Sequence, residues 1–248
     1  MKKKLILILS LLVITSSLLS ACQLPFTRVV QGSGVVVSET RDVSGFNAIT
    51  LNGVGRLDII QGGSESLEIE AEDNILKELT SDVQAGTLTL GYQDSFWVSS
   101  VIPTKEIVYT LTVVDLTELT INGAGDVDIE SLQTDTMAMT INGAGQVEID
   151  DLTAETLSVQ ISGTATIELA GQVTRQTVTI AGAGNYQASD LQSSDASVNV
   201  QGLGNARVWT MDTLTITISG SGVVSYYGSP ELSQEISGLG DITHLGDK

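Results

Sequence analysis

Cysteine and histidine each occur once in this chain, as Cys22 and His244. A lone thiol makes no internal disulfide, and without a Cys/His cluster there is no zinc site. A Ser-His-Asp triad would have to be built on His244 near the C-terminal end, where a packed or fraying terminal residue is the simpler reading. Basic residues are scarce: 11 Lys and Arg stand against 30 Asp and Glu, a formal net charge of −19. Such a surface repels nucleic acid and anionic headgroups and leaves cations and basic partners as the favoured company. Only Arg175 and Arg207 lie between Gly123 and Lys248. That is too little positive charge to hold an acidic glycan and take a proton from it, as a lyase must. Gly-x-Gly recurs but never as the Gly-x-Gly-x-x-Gly of a dinucleotide loop. The three prolines and the 4% of aromatic residues, beside 25 glycines and many Thr, Val and Ile, argue against helices and for short strands between glycine turns.

The longest apolar run is at the start. Met1-Lys2-Lys3-Lys4 is cationic, and residues 5–18 are apolar apart from Ser10, Thr15, Ser16 and Ser17. The run is short of the roughly 20 apolar residues of a membrane span and fits the core of a signal peptide. Leu19-Ser20-Ala21-Cys22 closes it and resembles a bacterial lipobox, in which the cysteine thiol receives a diacylglyceryl group and the preceding peptide is removed. The expected organisation is a signal over 1–21, lipidated Cys22 and a tether over 22–30, and one domain over 31–248. Removing 1–21 takes away three basic residues and no acidic ones, leaving 8 − 30 = −22. Attachment would then rest on acyl chains and not on electrostatics. Gln23 replaces the aspartate associated with inner-membrane retention, which points to the outer membrane where the host has one.

An internal repeat dominates what remains. Leu119-Thr-Ile-Asn-Gly-Ala-Gly-Asp-Val-Asp-Ile129 returns as Met139-Thr-Ile-Asn-Gly-Ala-Gly-Gln-Val-Glu-Ile149, and further variants follow to the C-terminus. The first glycines of the units are Gly123, Gly143, Gly163, Gly182, Gly202, Gly220 and Gly238, spaced 20, 20, 19, 20, 18 and 18 residues apart. Earlier copies are expected at Gly32 and Gly53. In each unit apolar and polar residues alternate on both sides of the glycines, the pattern of two strands with one buried face. The glycines mark a sharp turn that needs positive φ or close backbone approach. The polar return stretch dips into the core at Leu132, Leu152 and Leu191.

These features predict an all-β fold, a right-handed parallel β-helix with coils of about 18–21 residues. Ile121, Ile141, Ile161, Ile180, Val200 and Ile218 should form one internal column, about 4.8 Å apart. A propeller blade would need two units, and nothing pairs the units two by two. The stretch 71–114 breaks the period. Residues 74–79 read as one helical turn or a bulged corner, 87–90 and 107–113 as strands, and 93–103, with Phe96 and Trp97, as a loop or excursion.

The Ile-Asn-Gly-Ala-Gly units at 121–125 and 141–145, the opening Gly45-Phe46-Asn47-Ala48-Ile49 and the leucine-bearing stretch 74–90 resemble the bacterial GIN-domain family of autotransporter-adhesin heads. The resemblance runs over about residues 35–240. It implies an exported or lipid-anchored β-helical protein with an adhesin-like role, and it carries no catalytic residues and no cofactor.

Carboxylates are the one chemical group in excess. Asp128, Glu148 and Glu168 hold equivalent positions in successive units and should stack in an outward column. A solvated acidic face is the plain reading, and calcium bridging the column is the metal-site alternative. Asn52, Asn122 and Asn142 precede the turn glycine and should bond turn backbone. Phe96, Trp97, Tyr226 and Tyr227 either meet a ligand or close the ends of the core. The expected function is therefore non-catalytic: display, adhesion or binding of an envelope, glycan or protein ligand by a chain held on the membrane through its lipid. An envelope-stress accessory that binds cationic membrane-active ligands and a carbohydrate-active β-helix enzyme are the competing classes.

Overall fold

The computed structural model describes residues 28–93 and 98–248, so Cys22, the signal and most of the tether, and Phe96 and Trp97, lie outside the described residues. Most of the described residues belong to strands. The N-terminal part holds β1 (Arg28–Gln31), β2 (Val36–Arg41), β3 (Ala48–Leu51), β4 (Val54–Gln61), β5 (Ser66–Glu72), β6 (Leu79–Gln84), β7 (Thr87–Tyr92), β8 (Val98–Ile102) and β9 (Val108–Val113). The repeats supply β10 (Glu118–Ile121), β11 (Ala124–Ile129), β12 (Leu132–Ile141), β13 (Ala144–Ile161), β14 (Thr164–Ile180), β15 (Ala183–Val200), β16 (Leu203–Ile218), β17 (Ser221–Tyr227), β18 (Glu231–Ile236) and β19 (Leu239–His244).

The repeats stack as a parallel β-solenoid. Each coil has a first face before the glycine turn, a second face after it, and a third face on the return stretch. On the first face Ile121 pairs with Ile141, Ile141 with Ile161, and so on through Ile180, Val200, Ile218 and Ile236. The column from Ile121 to Ile218 is fully buried, and Leu132, Leu152 and Leu191 are buried on the third face. Variation in coil length is absorbed at corners. Pairing slips between Ile149 and Leu152, between Glu168 and Ala170, and again across 188–195, while the apolar columns of the faces stay in register. A one-residue slip within a strand would turn its apolar side chains out, so corners are the cheap place to gain or lose residues.

The turn glycines are required by stacking. A Cβ on Gly143 would overlap the carbonyl oxygen of Gly123, and Gly163 stands in the same relation to Gly143. That oxygen accepts from Ala144 N at 3.0 Å, so the turns hydrogen-bond coil to coil with no room for a side chain between them. Of the two explanations for these glycines, close approach applies here and positive φ does not, since the first glycine of each turn has none.

The period fails over 62–117 because this segment closes the N-terminal end. β4 pairs with β11, and a Cβ on Gly123 would overlap Gly53 O although 70 residues separate the neighbouring Asn122 and Asn52. Around this junction the chain adds β7 beside β3 and β9 beside β4, then antiparallel β6 on β7, β5 on β9 and β2 on β5. The antiparallel strands cap the stack, as a solenoid end requires. Gly53 thus begins a true coil. Gly32 does not: it follows β1, which among the described residues pairs with β8 in a separate two-stranded sheet. The 93–103 stretch is accordingly not all loop, since Val98–Ile102 is a strand. Residues 74–79 contain a short 3-10 turn, Leu76–Glu78.

Candidate functional site

The second face carries the predicted acidic column. Asp128 pairs with Glu148 and Glu148 with Glu168, all outward and in register. The structure adds Asp58 below Asp128, a residue that sequence spacing hides behind the 62–117 insertion. Asp58 is paired with Arg56 at 3.0 Å. Above Glu168 the column changes to Gln187 and Arg207, so the acidic run ends there. Asp58, Asp128, Glu130, Glu148 and Asp150 line a shallow hollow of about 360 Å³. Among the described residues no group of three or more His, Cys, Asp or Glu has the geometry to hold a metal ion.

The asparagines before the turn glycines bond each other and not the turn backbone. Asn142 Nδ2 donates to Asn122 Oδ1 and Asn122 Nδ2 to Asn52 Oδ1, both at 2.8 Å. Asn122, in the middle, both donates and accepts, which makes a short ladder that fixes one coil on the next.

The larger concavity is on the third face. A groove of about 1060 Å³ runs along the solenoid axis across successive coils. Gln133, Thr153, Gln172 and Gln192 are register neighbours and line it with amides and a hydroxyl. Asp115, Asp135 and Glu155 add carboxylates toward the N-terminal end, and no Lys or Arg lines the groove. Gln61 closes that end: its Nε2 donates to Gln133 O at 2.9 Å and its Oε1 accepts from Gln133 N at 2.9 Å, replacing the missing strand of the next coil.

Two further polar sites are buried. Tyr186 OH donates to Gln176 Oε1 at 2.9 Å, Gln176 Nε2 donates to Ser193 Oγ at 2.8 Å, and Ser193 Oγ lies 3.1 Å from Thr210 Oγ1. Burial pushes the Tyr186 phenol far above its ordinary pKa. Gln176 pairs with Leu157 below and Ala196 above, so it interrupts an apolar column. That break was readable in sequence as the one amide at this position. Near the N-terminal cap, Glu72 is 1% exposed. Burial works to raise its pKa, but hydrogen bonds from Thr104 Oγ1 and from the backbone N–H groups of Thr104, Gly34 and Lys105 outweigh it and hold the carboxyl down to about 2. Asn74 adds to this clamp, accepting from Ser33 N and donating to Gln31 O. Together they fasten the chain just after β1 to the solenoid. His244 stacks on Tyr226 at 4.8 Å and its Nε2 lies 2.8 Å from Gly228 O, a packed terminal residue.

The family model described as “Putative auto-transporter adhesin, head GIN domain” matches residues 45–230. The chain belongs to the GIN-domain family. A solved structure, a “putative adhesin” from Bacteroides fragilis, is 29% identical with a TM-score of 0.83, over 87% of this chain and 100% of that one. A “putative adhesin” from Parabacteroides merdae is 21% identical with a TM-score of 0.66, over 88% of this chain and 99% of that one. A “putative lipid binding protein” from Parabacteroides distasonis is 22% identical with a TM-score of 0.68, over 88% of this chain and 100% of that one. The last two, below 25% identity, speak for the GIN fold alone. No curated protein matches the chain.

Proposed function

We propose that this GIN-domain chain is a non-catalytic binding module of the cell envelope, held on the membrane by a lipid on Cys22. One observation carries the binding role: the third-face groove is long, open and lined by amides, hydroxyls and carboxylates, with no His, Cys or Lys among its lining residues. Such a lining offers hydrogen bonds at coil spacing to an extended ligand. Adhesin-like relatives and the adhesin name of the family support the same reading. The anchor rests on the lipobox-like Leu19-Ser20-Ala21-Cys22 and on the absence of any other cysteine.

Asp115, Asp135 and Glu155, with no basic residue in the groove, favour a cationic or neutral ligand over an anionic one. This is the observation behind the second reading, capture of cationic membrane-active ligands. The test is binding of a lysine-rich peptide and of a neutral glycan to the full-length protein, beside a variant carrying Asp135→Asn and Glu155→Gln. Peptide binding that weakens with salt and falls at least five-fold in the variant supports the groove as the site. Binding untouched by the two substitutions places the ligand elsewhere, and turnover of either ligand contradicts the non-catalytic reading.

A further inference from the structure

The two ends of the solenoid differ. Antiparallel β2, β5 and β6 cap the N-terminal end, whereas among the described residues no strand continues the first face beyond β18. β18 pairs only with β16 among the described residues, so its other edge presents free backbone N–H and C=O groups. Its inward side chains have nothing above them. Leu232 is 36% and Ile236 44% exposed, while their column neighbours Leu214 and Ile218 are buried completely. The inward positions Leu232, Gln234 and Ile236 carry no charge; the usual protections of an edge strand are confined to Pro230, just before β18, and the outward Glu231 and Glu235.

We propose that this edge docks a second copy of the chain, tip to tip, through antiparallel pairing of β18 with β18 about a twofold axis at Gln234. The strand is self-complementary in this register. Directly opposed residues of an antiparallel pair lie on one face, so Gln234 at the axis sets Leu232 against Ile236 of the second copy. Both apolar columns then continue across the junction. On the outward side Glu235 faces Ser233 and Glu231 faces Ser237, so no like charges stand directly opposed despite the strongly acidic surface. Gln234 takes the inward position held by Ile216 in the coil below, and beside its symmetry mate its amide both donates and accepts. Pairing at the tip is independent of the lipid. With the anchor proposed above on the other end, beside β1, the same contact would join chains on two facing surfaces, and that consequence rests on the anchor reading.

The test uses the full-length protein with one added cysteine and a short thiol–thiol crosslinker, with wild type, whose only cysteine is Cys22, as control. Gln234→Cys places the two thiols at the axis and should give a covalent dimer. Glu231→Cys places them about 20 Å apart along the strands and should give at least ten-fold less. Adding Ile236→Lys to Gln234→Cys should abolish the dimer while leaving the melting temperature within a few degrees of the parent. Equal yields at positions 231 and 234, no dimer at 234, or an adduct of Gln234→Cys with a different protein would overturn the pairing. Mixing two differently tagged cell populations separates the two claims. Dimer in purified protein without any mixed-tag dimer between cells sinks the bridging role and keeps the pairing.

Discussion

At the scale of single residues, the turn glycines and Glu72 show two different uses of tight space. Gly182 and Gly184 bracket one turn and look alike in sequence, but they meet different neighbours. A Cβ on Gly182 would overlap the backbone oxygen of Gly163, which is held in the coil ladder. A Cβ on Gly184 would come to 2.8 Å from Ile161 Cγ2, a side chain that can shift, and the equivalent position one coil earlier is already Ala165. Gly182→Ala should therefore cost about 3 kcal/mol or more and Gly184→Ala about 1 kcal/mol, read by chemical denaturation. Equal losses would mean that both glycines serve backbone conformation and not stacking. Glu72 makes a pH prediction. Its carboxyl lies at about 2 in the folded chain against an ordinary 4.5, so the folded state binds the proton more weakly than the unfolded one. The stabilisation is complete above about pH 4.5 and is lost as pH falls through 2. Stability of wild type minus that of Glu72→Gln should shrink over this window and stay constant from pH 5 to 7; a difference that grows on acidification contradicts the clamp.

At the scale of strands, the test of phase is Ile141, buried in register between Ile121 and Ile161. Ile141→Asp should destabilise by about 3–5 kcal/mol because it buries an unpaired charge, whereas the outward Thr140→Asp should change stability by under about 1 kcal/mol. Similar losses at both positions would mean that the strand faces the other way. This phase was legible in the sequence because apolar alternation and glycine spacing repeat coil after coil, and so was the stacking of Asp128, Glu148 and Glu168. What pairs across long separations was not. Nothing local in Asn52-Gly53 says that it sits beneath Asn122-Gly123, because the intervening 62–117 segment forms the cap and shares no period with the coils. The strand at Val98–Ile102 was hidden for a similar reason: its partner is β1, far away in sequence. The buried Tyr186, Gln176, Ser193 and Thr210 network was half legible, since Gln176 breaks an apolar column, but its partners come from later coils. For the acidic column, neighbouring charges at coil spacing lie within the Debye length of about 8 Å, and solvent exposure weakens their repulsion. Replacing Asp128, Glu148 and Glu168 with Asn or Gln should leave the melting temperature unchanged or slightly higher, with no calcium dependence in either protein. A saturable, calcium-specific rise in wild type that vanishes in the triple variant would turn this face into a cation site.

At the scale of the whole molecule, the parts have a direction. β1 and the Glu72 clamp lie by the antiparallel cap, the groove runs along the third face, and the bare strand β18 ends the other side. A lipid on Cys22, six residues before β1, would leave at most about 20 Å of extended chain between the membrane and the cap. The cap would then stay close to the bilayer and the groove would remain open to the surroundings. With a strongly acidic surface and no electrostatic attraction to anionic headgroups, one substitution should release the protein. The decisive measurement is fatty-acid labelling and membrane fractionation of wild type beside Cys22→Ser. The anchored-module account predicts label on wild type alone, membrane-bound wild type, and Cys22→Ser without label and lost from its place on the envelope; unlabelled wild type, or a Cys22→Ser protein that fractionates with membranes as wild type does, would contradict it.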